Sequence, residues 1–494
     1  MNLTTLVVTI GAIAFILTLA IGVFYRKQKS WLITFLQNFT GVLFIISGYV
    51  KAIDPLGTAY KMEQYFAEFE YTFSETAFSF LAPLFPWLSS LSVGFAIFMI
   101  VFEIVLGIML LLGSRPKLTA WAFLLLVVFF TFLTGFTFLT GYVPQGVNFF
   151  QFGQWSSYDP LQMKVTDCGC FGDFLKLEPR VSFYKDLALL VPALIFVFRH
   201  RDMHQLFTAS VRTIIILILT LGLTIYSVNN AYWHLPHIDF RPFKKGVDIR
   251  AQKQLEEEAE ASREVISYTL KNKLTGTFVE LPYQQYLNEY KSYPKTDWEV
   301  VETKMTEPEV PESKISDFVI YGPNDDDVTE QILTNSQPFV FIVCHKLYQH
   351  GSHSETIAVT DSIRIPTDTL LVDGDTTINY RTETRTRDVT QMRYDWDEAY
   401  VRRFKDIVVP FSQAADKEGI KSVIVIGGAD REMILDFKRA TGIEFTACSA
   451  DDILLKTIVR SNPGILLMED GKILDKWHYR HLPSFEEVKM NYIK

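Results

Sequence analysis

Residues 88–113 read LSSLSVGFAIFMIVFEIVLGIMLLLG, and Glu103 is the one charge among them. A helix needs roughly 20 mostly apolar residues to cross a hydrocarbon core about 30 Å thick. This run meets that length and is apolar on every face, which a helix buried in a soluble core seldom is. It reads as a membrane span, and the fold of the whole N-terminal half follows from it.

Five further stretches have the same character: Thr4–Tyr25, Trp31–Ile53, Leu118–Tyr142, Phe183–Phe198 and Thr213–Val228. The last two are short and are expected to extend into their flanks. No Lys or Arg precedes the first, and no small-x-small site follows it, so it is read as a retained span rather than a cleaved signal peptide. From 231 onward the charges are spread as in a water-soluble protein. The net charge of −9 offers no basic stripe for nucleic acid. The partners expected are therefore the lipid bilayer and protein.

Lys and Arg gather in alternate loops: Arg26, Lys27 and Lys29; Arg115 and Lys117; Arg199, Arg201 and Arg212. Basic loops stay in the cytoplasm. The longer loops near 54–87 and 143–182 then face outward, as do both termini. In a bacterium this is a multi-pass inner-membrane protein with a periplasmic C-terminal half.

The second outward loop carries Asp167-Cys168-Gly169-Cys170-Phe171-Gly172-Asp173. The chain has only four cysteines, too few for a disulfide scaffold. In an oxidising compartment Cys168 and Cys170 can pair. Gly169 gives the backbone freedom so small a ring needs, and Gly172 the same freedom for the turn. A strained, exposed disulfide is the exchangeable kind. Three other readings compete: a structural disulfide pinning the loop, a turn whose thiols do nothing, and a metal site. The last lacks ligands, since no His or further Cys stands near. The flanking aspartates work against a reactive thiolate.

The segment from Ile46-Ser47-Gly48 through Lys51-Ala52-Ile53-Asp54-Pro55-Leu56-Gly57 resembles the first block of DoxX-type membrane proteins. Phe102-Glu103-Ile104-Val105-Leu106-Gly107 resembles their second, and Cys168-Gly169-Cys170-Phe171-Gly172-Asp173 is similar to the motif of the MauE branch. The resemblance spans roughly residues 30–200. It implies a helical bundle with a four-helix core, and a part in the thiol–disulfide chemistry that matures a secreted partner. Residues 1–30 would be an extra span, 31–200 the DoxX/MauE-like bundle and 201–230 the sixth span.

Acidic groups at mid-membrane depth are costly and usually face the bundle interior. Glu103 reads either as part of a proton or quinone site or as a buried structural hydrogen-bonding group, protonated or paired with a basic residue. Lys51 and Asp54 close span two, and Lys185 and Asp186 open span five on the same side. They read as residues reaching to the interface, or as the lining of a site beneath the cysteine loop, where a cation would stabilise a thiolate or a quinone anion.

Residues 231–312 read as a small α+β module with a linker, including a hairpin of Val265–Leu270 and Gly276–Leu281 and a strand over Asp297–Lys304. Residues 313–494 begin with a strand over Ile315–Ile320. Pro338–Val343 is a buried strand. Lys421–Ile426 is another, after a helix over Phe404–Glu418. Helices over Asp430–Thr441 and Asp451–Val459 precede a hairpin of Gly464–Met468 and Lys472–His478, and Ser484–Ile493 is the last helix. A β-α-β unit followed by a hairpin and helix is similar to the thioredoxin and peroxiredoxin arrangement, with Pro463 at the cis-proline position beside a groove. Cys344-His345-Lys346-Leu347 stands where that family has C-x-x-C, so the dithiol is missing. Cys344 and Cys448 read as buried small apolar residues, or as a pair if the fold brings them together. Residues 354–400 form an insertion, read as a solvated loop or hairpin or as a partner-binding arm.

The fold expected is thus an α-helical transmembrane bundle of six spans plus an α/β thioredoxin-like soluble domain. Two functions fit: a thiol–disulfide oxidoreductase acting through Cys168 and Cys170 with a quinone as electron acceptor, or a non-catalytic anchor presenting a degenerate thioredoxin-like binding domain. No cofactor is fixed by sequence alone. A transporter lacks support, since no internal repeat or pair of broken helices is evident.

Overall fold

The computed structural model describes residues 2–26, 29–165, 169–372 and 375–493. The chain divides into two compact units, Met1–Arg241 and Pro242–Lys494.

The first unit is helical throughout. Its helices are α1 (Leu3–Ala20, continued by a π turn over Ile21–Tyr25), α2 (Trp31–Ile53), α3 (Pro55–Ser74), α4 (Leu84–Ser90), α5 (Ser92–Leu112), α6 (Pro116–Thr140), α7 (Pro179–Arg199) and α8 (Ala209–Tyr232). Among the described residues six helices are long and apolar enough to cross a membrane, all except α3 and α4. The protein is a multi-pass membrane protein. The fifth and sixth spans run further than their apolar runs, because α7 starts at Pro179 and carries Lys185 and Asp186 within its second and third turns.

The outward loop expected over 54–87 is largely helical. Asp54 accepts a hydrogen bond from the Gly57 amide (3.2 Å), and Pro55 occupies the first turn of α3. This is the capping residue and pre-set φ that start a helix. The signal lay in Asp54-Pro55, but the mixed polarity of α3 hides it from a search for spans.

Glycines let α2 and α5 touch. A Cβ on Gly107 would lie 2.7 Å from the Gly41 carbonyl oxygen, and one on Gly48 would lie 2.4 Å from an Ile104 side-chain carbon. Without a hydrophobic drive between spans, such close backbone approach supplies the packing. α6 packs along α7, α1 along α2 and α8 along α5. Phe44, Phe123 and Phe196 pack through the middle as tilted rings, with centroids 4.9 and 5.7 Å apart.

In the second unit, α9 (Ile249–Ala261) precedes a three-stranded antiparallel sheet of β1 (Val265–Asn272), β2 (Phe278–Pro282) and β3 (Trp298–Met305), in the order β2-β1-β3, with α10 (Tyr283–Glu289) between its last two strands. Then follow α11 (Thr329–Leu333), β4 (Phe339–Cys344), β5 (Gln349–Val372), β6 (Asp375–Trp396), α12 (Glu398–Arg403), α13 (Val409–Lys417), β7 (Ser422–Gly427), α14 (Arg431–Thr441), β8 (Thr446–Ala450), α15 (Asp452–Ile458), β9 (Gly464–Glu469), β10 (Lys472–His478) and α16 (Phe485–Tyr492).

The main sheet has the order β10-β9-β4-β7-β8. β4, β7 and β8 are parallel, and β9 runs antiparallel to both its neighbours, β4 and β10. Every residue of β4 is buried, as a central strand covered on both faces must be. Two expectations change. Ile315–Ile320 turns instead of extending, with the Phe318 amide bonded to the Ile315 carbonyl (3.0 Å). The edge strand β8, which carries Cys448, had not been anticipated, since its run is short and small-residued.

The insertion is a two-stranded antiparallel hairpin, β5 with β6. Asp436 on α14 ties down its base. Its carboxylate is 2.8 Å from Arg393 Nη1, 3.2 Å from the Tyr394 amide and 3.1 Å from Trp396 Nε1.

Candidate functional site

Beneath the Gly169-Cys170-Phe171 segment lies a cavity of about 80 Å³, lined by α2, α3, α5, α6 and α7. Two features hold the cysteine segment over it. The Ser47 hydroxyl on α2 donates to the Cys170 carbonyl (2.8 Å), and the Phe171 side chain is buried in the bundle core at 2 % exposure. Gly169 and Gly172 both have positive φ (62° and 52°), the left-handed region that glycine adopts without strain. Cys170 is half-buried. Its neighbour Cys168 and Asp167 lie outside the described residues.

The cavity brings together four of the charged residues singled out above: Lys51, Glu103, Lys185 and Asp186. Lys51 turns inward from the end of α2 rather than outward to the interface. Its ammonium is 2.5 Å from Glu103 Oε2, and both residues are buried, at 6 % and 3 % exposure. It also stands 5.3 Å from the centre of the Phe130 ring. Lys185 pairs with Asp186, and Asp186 Oδ2 also accepts from the Thr134 hydroxyl (3.0 Å). An ion pair in low dielectric needs such added hydrogen bonds to offset its lost hydration.

Asp54 stands apart. It caps α3 and, with Gly172 and Arg241, lines a separate small hollow of about 20 Å³. Arg241 is itself buried in a two-bond pair with Asp239 (2.8 and 3.0 Å).

The structure adds residues that the sequence reading missed. Thr58, Lys61, Met62 and Tyr65 line the cavity from α3. Their spacing is i, i+3, i+4, i+7, one face of a helix. That periodicity was the available signal, and the loop reading of 54–87 concealed it. Tyr65 Oη is 2.7 Å from Thr137 Oγ1, which ties α3 to α6.

The cavity thus presents three ammonium donors (Lys51, Lys61 and Lys185), two carboxylates and aromatic walls to whatever enters beneath Cys170. Donors of this kind stabilise oxygen anions, and the carboxylates can accept or pass protons. Among the described residues no group of three His, Cys, Asp or Glu side chains is placed to hold a metal ion.

In the second unit, Cys344 ends β4 and Cys448 lies on β8, with β7 between them. Cys344 aligns with Ile426 and Cys448 with Val425. The two thiols therefore point to opposite faces of the sheet, about 10 Å apart across two strand spacings, too far for a disulfide. The alternative of a Cys344–Cys448 pair is thereby removed. Burial pushes the Cys344 thiol far above the ordinary thiol range and the Cys448 thiol up to about 11. Pro463 follows a cis peptide bond and is buried. Asn462 beside it bonds to the Lys346 carbonyl (2.7 Å) and accepts from Tyr400 Oη (3.1 Å).

Six candidate spans, four of which line a polar cavity together with α3, define a polytopic membrane protein with a buried charged site. Within it, residues 29–144 match the family described as Methylamine utilisation protein MauE, so a MauE family domain covers α2 through α6. The match ends ahead of the Gly169-Cys170-Phe171 segment and of α7, which complete the cavity. No curated protein sequence and no solved structure gives a significant match to the chain.

Proposed function

We propose that the protein is a thiol–disulfide oxidoreductase of the bacterial inner membrane, acting on a periplasmic protein through Cys168 and Cys170. The observation that carries this reading is the cysteine segment roofing a cavity with two ion pairs in it. A half-buried cysteine over such a cavity sits at a boundary between a soluble partner and a membrane-borne electron acceptor.

The chemistry balances as two exchanges. A thiolate of the partner attacks the Cys168–Cys170 disulfide, and a mixed disulfide forms. The partner's second thiol displaces it, leaving the partner oxidised and the loop as a dithiol. Re-forming the loop disulfide releases two electrons and two protons. A quinone, as second substrate, takes up both. The cavity suits a flat ring: Phe44, Phe129 and Phe130 supply aromatic walls, and Lys51 and Lys185 offer donors to ring oxygens. Glu103 and Asp186 are the carboxylates placed to hold protons.

The four-helix core of DoxX/MauE type would comprise α2, α5, α6 and α7, which line the cavity together with α3, while α1 and α8 contribute no lining residue. Orientation rests on the basic loops, which put the cysteine loop in the periplasm. The β4–helix–β7 unit followed by the β9–β10 hairpin and α16 supports a thioredoxin-like reading of the second unit. With Cys344 and Cys448 on opposite faces, that unit serves as a binding module.

The test replaces Cys168 and Cys170 with Ser, singly and together, in cells. The expected result is loss of partner oxidation, and a trapped mixed disulfide with one single variant. If the double variant is fully active and nothing is trapped, the second reading stands: a non-catalytic membrane anchor presenting a degenerate thioredoxin-like domain.

A further inference from the structure

At the opposite end of the bundle from the cysteine segment, three connections converge on an open cleft of about 790 Å³. Lys29 comes from the α1–α2 loop, Arg115 from the α5–α6 turn, Lys117 from the first turn of α6, and His200 and Arg201 from the short turn that follows α7. No carboxylate lines the cleft among the described residues. The nearby Asp202 is engaged by Arg199.

This end is braced. Lys29 donates to the Arg201 carbonyl (2.6 Å), which joins two of the loops. Gln37, inside the bundle, bonds to the Leu110 carbonyl (2.6 Å) and receives the His204 amide (3.1 Å). His204 Nε2 lies 2.9 Å from the Leu111 carbonyl, and the Leu206 amide bonds to Leu112 (3.0 Å). The 203–206 segment is thus clamped to the end of α5. Gly113, with φ of 63°, permits this, since a Cβ there would meet the His204 carbonyl at 1.7 Å. Loops that only marked topology would not need to be fastened together.

Below the cations the cleft wall turns apolar. Leu118 and Trp121, both exposed, extend it along the first turns of α6. An indole at the end of a span sits at headgroup level. The cleft therefore combines a multi-cation head site with an apolar flank running into the hydrocarbon.

We propose that this cleft binds the phosphate headgroup of an anionic phospholipid, with one acyl chain lying along Leu118 and Trp121. The chemistry that fits is a phosphate oxyanion carried on a hydrocarbon chain. Basic pockets at span ends recognise such headgroups, each Lys or Arg contributing about 1 kcal/mol. The proposal is independent of the thiol chemistry.

The test uses the full chain in neutral detergent, titrated with phosphatidylglycerol, cardiolipin, phosphatidylcholine and inorganic phosphate. Retention is read by native mass spectrometry and stability by thermal unfolding. Phosphatidylglycerol and cardiolipin should be retained and raise the unfolding temperature; phosphatidylcholine and inorganic phosphate should do neither. Lys117→Gln and Arg201→Gln should each weaken retention about fivefold, and Arg115→Gln/Lys117→Gln/Arg201→Gln should abolish the preference with the lipid-free unfolding temperature unchanged. If that triple variant does not fold, the two single variants carry the test. Equal retention of phosphatidylcholine, an unchanged preference in the variants, or an equal effect of inorganic phosphate would each overturn the proposal.

Discussion

Lys51 and Glu103 sit 2.5 Å apart with almost no exposure, so each is the other's principal compensation for lost hydration. Removing one partner of a buried pair leaves the other charge stranded, at about 3–5 kcal/mol. Lys51→Met and Glu103→Leu should each lower the unfolding temperature markedly in detergent. The double variant should recover much of that loss, and a double-mutant cycle read by thermal unfolding checks it. If the cavity handles protons, the double variant should fold well and still fail in partner oxidation. His345 makes a separate prediction. Burial, with Lys456 and Arg460 nearby, lowers its pKa to about 3 from an ordinary value near 6.5. The folded state thus holds the ring neutral, and the unfolded state binds the proton first. Its contribution is complete above about pH 6.5 and is lost as the pH falls towards 3, at up to about 1.4 kcal/mol per pH unit. His345→Gln should flatten that part of the stability–pH curve, as measured by denaturant unfolding at pH 7, 5 and 4.

At the scale of elements, the α2–α5 contact decides where the charges meet. Gly107 lies one turn beyond Glu103 on the same face of α5, and its close approach to Gly41 draws that face against α2. A side chain at Gly107 would press on the Gly41 backbone, which cannot rotate away. Gly107→Leu should therefore cost at least the 1–3 kcal/mol typical of overpacking and widen the Lys51–Glu103 pair. Gly94 on the same helix has open space around it, and Gly94→Ala should be neutral or slightly stabilising. Thermal unfolding of the two variants side by side makes the comparison. The length and all-round apolarity of the runs mark all six spans, because a membrane crossing is dictated by length and polarity alone. They do not mark α3, whose amphipathic face covers the cavity, because helices of mixed polarity carry no such length rule. The β5–β6 hairpin was legible as an insertion, read as a loop or a hairpin. Its Thr, Asp and Arg content reads as a solvated loop, and the alternation of Ile357, Val359, Ile363 and Ile365 as a strand, so composition left loop and hairpin both open.

For the whole molecule, the charge distribution makes a topological prediction. Arg115 and Lys117 should lie on the cytoplasmic side and Cys170 on the periplasmic side. In intact cells an impermeant maleimide should label the cysteine loop after reduction. It should leave a cysteine introduced at Ser114 untouched until the membrane is permeabilised. Labelling at both sites without permeabilisation would refute the six-span arrangement. The sequence by itself determined the membrane character, the number of spans, the alternation of basic loops and most strands of the second unit. These depend on local composition and on periods of 2 or 3.6 residues, which one chain segment carries alone. It also named Lys51, Glu103, Lys185, Asp186 and Cys170 as residues out of place for lipid or loop. Only the tertiary structure decided that these five share one cavity, that Lys51 turns inward to Glu103, that Asp54 caps a helix elsewhere, and that Cys344 and Cys448 face apart. Those outcomes depend on which helix lies against which and on strand order across a sheet. Such neighbours are distant in sequence, and no segment's own pattern records them.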